Sequence, residues 1–437
     1  MKKRIFGGLL LAGMLLLCGC GGTQQQNTAS GTEIRLEGDH AAIQGGGARA
    51  DGGTVTISAV GSYTLSGSLE GQVVVDTGDD AMDVTLVFDG VSIANPNGPA
   101  LWVRQAKNVY LQLTEGSENL LQSGREEDLA TYDATREGAA LYAEDDLKIE
   151  GTGQLRVNGF LNNGITCKDD LDIRGGSLMV QAANNGIRAS ESLDLSGGAV
   201  AIQAGNDGMK TTSAQKEGKG WICIRGGALT ISAQGDGISA ETDLRIQGGV
   251  AVVAGGQTVF AGADPALLEG KDALKAKGGV TMEDGSLDLF APQGDGIRCS
   301  GEAVLSGGKV DIRAGDDGIQ TGVQGSGLGS LAIRGGQLRI CAENQALKGE
   351  AGFALSGGRL LALSDSGKQL AAQGGQPCLY AAVRGRAGDT VRVSGADWLE
   401  DFRAAYDYKS LLYSDEALQA GEAVSVFCGE QEIQATP

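Results

Sequence analysis

The sequence predicts an all-β fold: a parallel β-helix with coils of about 22 residues, broken by loop insertions and closed by a C-terminal β cap. Three observations predict it. The first is a recurring turn, clearest at residues 204–210 (Ala-Gly-Asn-Asp-Gly-Met-Lys). It returns as Asn163-Gly164-Ile165, Asn185-Gly186-Ile187, Asp236-Gly237-Ile238, Asp295-Gly296-Ile297 and Asp317-Gly318-Ile319, with degenerate copies at Asp272-Ala273-Leu274 and Gln345-Ala346-Leu347. Gly164, Gly186 and Gly208 follow one another at 22 residues, as do Gly296 and Gly318. A fixed step of this size marks stacked supersecondary units. The second observation is a glycine pair that keeps the same step, as at Gly197-Gly198, Gly226-Gly227 and Gly307-Gly308. The third is apolar alternation: Leu193 and Leu195 precede one pair, and Val200 and Ile202 follow it. Period two indicates strands, and the units are too short to hold a helix between strands. Asn, Asp and Gly are expected at the corners because they tolerate positive φ. The inward apolar residues fill the tube, each contributing roughly 1.5–3 kcal/mol relative to exposure.

The chain begins with Lys2-Lys3-Arg4 and an apolar run over 5–17, too short for an ordinary membrane span. Leu17-Cys18-Gly19-Cys20 resembles a bacterial lipobox, with Cys20 as the lipidated residue; a plain secretory signal is the alternative. Residues 1–19 are therefore expected to be a signal peptide, and 20–32 a lipid-anchored flexible tether rich in Gln, Thr and Ser. This would place the protein on the extracellular face of the bacterial cell membrane, held there by its lipid alone. Residues 33–139 read as an N-terminal cap and first irregular coils, with the polar stretch 115–138 as a surface excursion. The regular helix is expected over 140–375. Insertions at 211–220, 255–271 and 323–330 break its step and are expected to be loops on the wall. Residues 376–437 lose the repeat and gain aromatics, including Trp398, Phe402, Tyr406 and Tyr413. They read as a cap over the open end, where an exposed edge would invite pairing. A monomer is expected.

The formal net charge is −20, and removal of the basic leader makes it more negative. That argues against nucleic acid and anionic membrane surfaces as partners and leaves room for bound cations. No cysteine beyond Cys20 lies in a C-x-x-C pair, which argues against zinc and thioredoxin chemistry. Cys167 and Cys299 share the repeat position of Ala189 and Ala240 and are expected as small core residues, whereas Cys223 and Cys341 fall on outward positions. The single histidine, His40, sits near the tether, so histidine acid–base chemistry is not expected.

Equivalent positions in stacked coils lie about 4.8 Å apart, so the repeats can be read as columns. The position before the turn glycine reads Asn163, Asn185, Asp207, Asp236, Asp272, Asp295, Asp317 and Gln345, flanked by Asn206 and Asp316. Stacked carboxylates repel, by about 1 kcal/mol per adjacent pair even in water. Oxygen-rich turns of this kind suit Ca²⁺, which takes roughly 6–8 oxygen ligands. The candidate metal ligands are Asp207, Asp236, Asp272, Asp295, Asp316, Asp317, Asn185 and Asn206. The competing reading is that these are corner residues making Asx-type hydrogen bonds. The position two after the glycine should face outward; it carries Trp102, Tyr142, Arg188, Lys210, Lys275, Arg298 and Lys348. Aromatics can stack on sugar rings, and aligned cations can take the carboxylates of a uronic-acid polymer. The alternative is that these cations only offset the Asp column. Catalysis has less support: Lys210 beside Asp207, or Arg298 beside Asp295, are the weak candidates for the base of a Ca²⁺-dependent lyase.

Taken together, the lipobox, Asn163-Gly164-Ile165 followed by Lys168-Asp169-Asp170-Leu171, the Asp-Gly-Ile turns, Lys219-Gly220-Trp221-Ile222 and the closing Tyr408-Lys409-Ser410 and Tyr413-Ser414-Asp415 resemble a known family. It is that of secreted bacterial carbohydrate-binding domain-containing β-helix proteins, similar to pectate-lyase-type folds. The resemblance spans residues 33–429. It implies a right-handed winding, Ca²⁺ sites and polysaccharide binding at the cell surface, with an acidic plant polymer of the pectin type as the plausible ligand. A polysaccharide lyase and an adhesive rod are the alternatives. Asn replaces Asp at 163 and 185, and Ala replaces Gly at 273 and 346, which puts metal ligation at those coils in doubt.

Overall fold

One coil shows how the others are made. Ile187–Ala189, Ser192–Leu195 and Ala199–Ala204 are three short strands joined at corners. Ile187, Ala189, Leu193, Leu195, Val200 and Ile202 point inward and are at most 2% exposed. Each strand pairs in parallel with its counterpart in the preceding coil and in the following one. The coils thus build three walls around one apolar tube. The computed structural model describes residues 29–437 except 79–81, 132–137, 261–267, 323–328, 367–372 and 396–398. The expected signal peptide, Cys20, most of the tether and Trp398 lie outside the described residues.

The first wall is a 13-stranded sheet from Ala48–Asp51 to Leu347–Gly349, parallel from Thr54–Ile57 onward. The second and third walls belong to a single 24-stranded sheet, because long strands such as Leu331–Ala342 bend from one wall into the other. The fold is all-β and β-helix-like. The parallel pairing already runs through residues 54–123, where the sequence spacing is loose.

Within the expected excursion 115–138, Glu118–Ser123 is a third-wall strand. Its inward Asn119 disguised it. The Asn119 side chain is buried but satisfied, accepting from Val91 N at 2.9 Å and donating to Gln154 O at 2.9 Å. The three insertions leave at corners rather than from a wall face: two lie between first and second walls, one between third and first.

The turn glycines are needed for a different reason than positive φ. Gly186, Gly208, Gly237, Gly296 and Gly318 keep ordinary negative-side backbones. Their missing Cβ makes room for a β-branched residue of the neighbouring coil: at Gly208 a Cβ would lie 2.3 Å from Ile231 Cγ2 and 2.5 Å from Gly237 O. Positive φ belongs to the glycine pairs instead, as at Gly198 (φ 82) and Gly227 (φ 83).

Both ends are covered. At the start, Ala41–Gln44 folds back antiparallel on Ala29–Gly38. At the far end Tyr408–Ser414 pairs antiparallel with Phe353–Ser364, ending the parallel ladder. The cap does more than cover the opening. A second apolar cluster packs Leu379, Val391, Tyr408 and Val426 against Cys341, Leu361 and Leu363 on the outside of the last coils. Cys341 is therefore buried although it occupies an outward position. Cys223 is buried too: it pairs with outward Asp194 and Arg245, but Arg225 bonded to Gln247 and Asp194 lies across it. Cys167 and Cys299 are inward core residues in register with Ala189 and Ala276.

Gly208→Ala should destabilise the fold by about 1–3 kcal/mol, because the tube wall cannot yield at both contacts. Gly46→Ala, with nothing within 4 Å, should stay within about 0.5 kcal/mol of the parent. Urea unfolding midpoints check this; equal midpoints for the two variants would contradict the packing account.

Candidate functional site

The first wall carries the site. Its strands are three residues long in the regular coils, with an inward residue on each side of one outward position. Backbone pairing sets the outward residues in one line: Trp102, Tyr142, Thr166, Arg188, Lys210, Ser239, Lys275, Arg298, Gln320 and Lys348. Thr166 departs from its neighbours in being buried, its Oγ1 accepting from Asn163 Nδ2 at 3.1 Å.

The Asx column stands beside it as a hydrogen-bonded ladder. Each Oδ1 accepts the backbone N–H of its equivalent one coil on. Asp236 N donates to Asp207 at 2.9 Å, Asp272 N to Asp236 at 2.9 Å, Asp295 N to Asp272 at 3.0 Å and Asp317 N to Asp295 at 2.9 Å. Asn185 joins the same ladder, donating to Asn163 Oδ1 and accepting from Asp207 N at 3.3 Å. Asn206 lies on a second, outer ladder of amides, donating to Asn184 Oδ1 at 3.1 Å. The corner hydrogen bonds expected of Asx residues are thus present, running between coils.

The second oxygen of each Asp faces the cations. Lys210 Nζ lies 2.6 Å from Asp207 Oδ2, and Lys348 Nζ lies 2.6 Å from Asp317 Oδ2. Lys275 reaches back to Asp236 at 3.0 Å and sits 3.7 Å from its own Asp272; Arg298 is 3.7 Å from Asp295. Asp272 Oδ2 and Asp295 Oδ2 are buried without a hydrogen bond. Around the second of these, oxygens of Asp295, Asp316 and Asp317 fall within 4.8 Å of one another. The candidate bases Lys210 and Arg298 are both held against carboxylates of the column. Trp102 Nε1 donates to Glu144 at 3.3 Å with Arg104 over its ring, and Lys168 lies over Tyr142. Among the described residues Arg188 has no carboxylate partner.

A second charged group sits at the next corner. Asp146, Asp169 and Asp170 converge there, with Glu191 beside them. Lys219, from the insertion after Met209–Thr211, fills the group: its Nζ is 2.6 Å from Asp170 Oδ2 and 3.1 Å from Glu191 Oε2. Burial, then the hydrogen bond and charge of Glu191, push the Asp169 carboxyl up. Sequence columns gave no signal for Lys219, because its partner lies 49 residues earlier and its loop is outside the repeat.

The family model of the carbohydrate-binding domain-containing proteins matches residues 51–318 and 259–437. The chain belongs to this family. A relative, the carbohydrate-binding domain-containing protein of Acetivibrio thermocellus, is 38% identical over 268 residues, covering 59% of this chain and 93% of the relative. A solved structure described as the polysaccharide lyase-like protein from C. thermocellum, gadolinium derivative, is 33% identical and covers 52% of this chain and 91% of that one, with a TM-score of 0.48.

In this carbohydrate-binding domain-containing protein the two unbonded carboxylates are electrostatically uncomfortable. Burial and then the charge of Asp236 push Asp272 up from 3.8 to about 6. Burial and then the charge of Asp272, with Asp317 and Asp316 adding, push Asp295 up to about 7. A raised folded-state value means the folded chain holds protons that the unfolded chain has lost. The stability these groups contribute is fully present below about pH 4 and is lost as the pH rises through about 6 and 7. In EDTA, Asp295→Asn should therefore raise the thermal midpoint at pH 8 and change it little at pH 4. An identical shift at both pH values would refute the assignment.

Proposed function

We propose that this protein binds acidic polysaccharide of the pectin type along its first wall, as a lipid-anchored protein on the outer face of the bacterial membrane. The observation that carries the reading is the outward column: two adjacent aromatics, Trp102 and Tyr142, are followed in strand register by the buried Thr166 and then by Arg188, a cation with no described carboxylate partner. Aromatic faces take the apolar side of a sugar ring, and a guanidinium takes a carboxylate in bidentate fashion. Membership of a carbohydrate-binding family supports the ligand class.

Ca²⁺ fits the same wall. Asp295, Asp316 and Asp317 would hold the ion, and its charge would relieve the buried Oδ2 atoms of Asp295 and Asp272. When bound, it supplies a positive centre for a sugar carboxylate. Asp207 and Asp236, already paired with lysines, extend the column, while Asn185 and Asn206 hold the backbone and outer ladders. A right-handed winding accords with the handedness of parallel strand connections generally.

The mature protein should be retarded in native gels containing polygalacturonate with Ca²⁺ and run freely with EDTA. Arg188→Ala and Trp102→Ala should each weaken retardation about tenfold, the scale of one lost charge-assisted or stacking contact. Equal mobility with and without polymer would sink the proposal.

A further inference from the structure

Three of the four exposed large apolar side chains among the described residues stand on one face. Met179 is 53% exposed, Val250 55% and Val252 43%; the fourth, Leu399, belongs to the C-terminal cap. The three share the third wall. In four consecutive coils its strands are Ser177–Ala182, Ala199–Ala204, Ala228–Ala233 and Val250–Ala254, parallel and in register. Met179, Ala201, Thr230 and Val252 form the middle outward column, and Ser177, Ala199, Ala228 and Val250 the one beside it. None of the four strands holds a charged residue, in a chain that is 21% charged. The neutrality belongs to this face and not to these coils, whose second-wall strands present Asp172, Asp194 and Arg245 outward. A contiguous exposed apolar face marks a contact surface, and few charges with an exposed methionine is the composition of an interface core.

Charge returns at both ends of the face, with opposite sign. In the middle column Arg156 stands in the coil before, and Asp288 in the coil after. Arg156 is exposed and, among the described residues, has no carboxylate partner. Asp288 is bonded to Arg313 and its side chain is still 47% exposed. The shape is graded as well. A cleft of about 490 Å³ lies toward the Arg156 end, lined by Arg156, Gln181, Gln203 and Ser232 and, from the loop after Glu118–Ser123, by Glu126. Val250 and Val252 stand beyond it, next to the coil of Asp288. A face with a cation and a hollow at one end, and an acid and exposed valines at the other, is complementary to itself turned end for end.

We infer that two copies of the chain pair through this face, with their coil axes antiparallel. A two-fold axis along the strands, between the coils of Ala201 and Thr230, sets Arg156 of each copy opposite Asp288 of the other, and Met179 opposite Val252. The exposed valines of each copy then enter the hollow of the other. The strands of the two sheets stay aligned, a usual packing of sheet faces, and Ala199, Ala201 and Ala228 let them approach closely. A parallel pair would oppose Arg156 to Arg156 and Asp288 to Asp288, and like charges across an interface select against it. Six coils with three outward positions each come near the roughly 20 residues a side of a small stable interface. The pair takes the place of the monomer expected from the sequence. It keeps Trp102 and Arg188 of both first walls outside the contact, so it does not depend on the polysaccharide reading.

Sedimentation equilibrium of the mature protein from about 1 to 200 μM should show monomer passing into dimer, the range that suits an interface at the small end of the scale. Ala201→Arg, which sets a long charged side chain at the centre of the contact, should stay monomeric throughout. Arg156→Asp should weaken pairing at least about tenfold, because the symmetry counts the change twice. Arg156→Asp combined with Asp288→Arg exchanges the two charges and should restore pairing. Ala201 and Arg156 are exposed, and unchanged thermal midpoints would show that the variants fold. A wild type that remains monomeric at the highest concentration overturns the inference. So does a dimer that Ala201→Arg leaves intact, which would put the contact on another face. Pairing that Arg156→Asp does not weaken, or that the exchanged variant does not recover, overturns it as well, because the antiparallel arrangement requires both. Ala201→Arg should keep its retardation by polygalacturonate, so a failure of the first-wall reading is scored apart from a failure of the pair.

Discussion

Successive coils sit one strand spacing apart, so every side chain meets its own equivalent above and below. That constraint governs the whole molecule. It lets inward Leu, Ile and Val stack into a continuous tube, and it makes stability a sum over coils. It also forces like residues together where they are not apolar. The Asp column is the sharpest case, with buried carboxylates repeated from Asp207 to Asp317. The fold relieves the repulsion twice. One oxygen takes a backbone N–H from the next coil, and the other is met by a lysine or arginine of the outward column. Only at Asp272 and Asp295 does the second oxygen lack a hydrogen bond, and there the protonation range moves toward neutrality.

The same stacking gives the walls separate chemistries. A residue type that recurs in one register becomes a stripe, so small changes in each repeat produce large differences between faces. The first wall is a line of cations and aromatics beside acids. The second presents mixed charges. The third, over four coils, presents no charge at all. A rod with chemically distinct faces suits a carbohydrate-binding protein better than a single deep pocket would, because an extended polymer can lie along several coils. The corner insertions add local detail, as where Lys219 closes over Asp170 and Glu191.

Much of the outward column was legible because two markers fix its register. Strand periodicity says which residues alternate, and the turn glycine says where each strand starts. Arg188, Lys210 and Arg298 follow from these alone; at Trp102, Tyr142, Lys275 and Lys348 an alanine stands in place of the turn glycine, and strand alternation carries the register. The strand Glu118–Ser123 was hidden because its inward Asn119 satisfies a backbone gap, and a polar residue doing that work has no periodic signature. The turn glycines were legible as essential, but for the wrong reason: their backbone is ordinary, and it is the side chain of the next coil that excludes a Cβ.

The sequence by itself determined the coil length and, within the regular coils, the strand positions and the inward and outward columns. These are local or strictly periodic properties, and a period survives in one dimension. Tertiary structure alone decided which oxygen of each Asp points where, and that Lys275 hydrogen-bonds Asp236 of the preceding coil while standing 3.7 Å from Asp272 of its own. It also decided that the closing segment buries Cys341 on the outside of the last coils and that the neutral strands floor a cleft. Those facts depend on side-chain reach and on contacts between segments outside the repeat, and neither leaves a period to read.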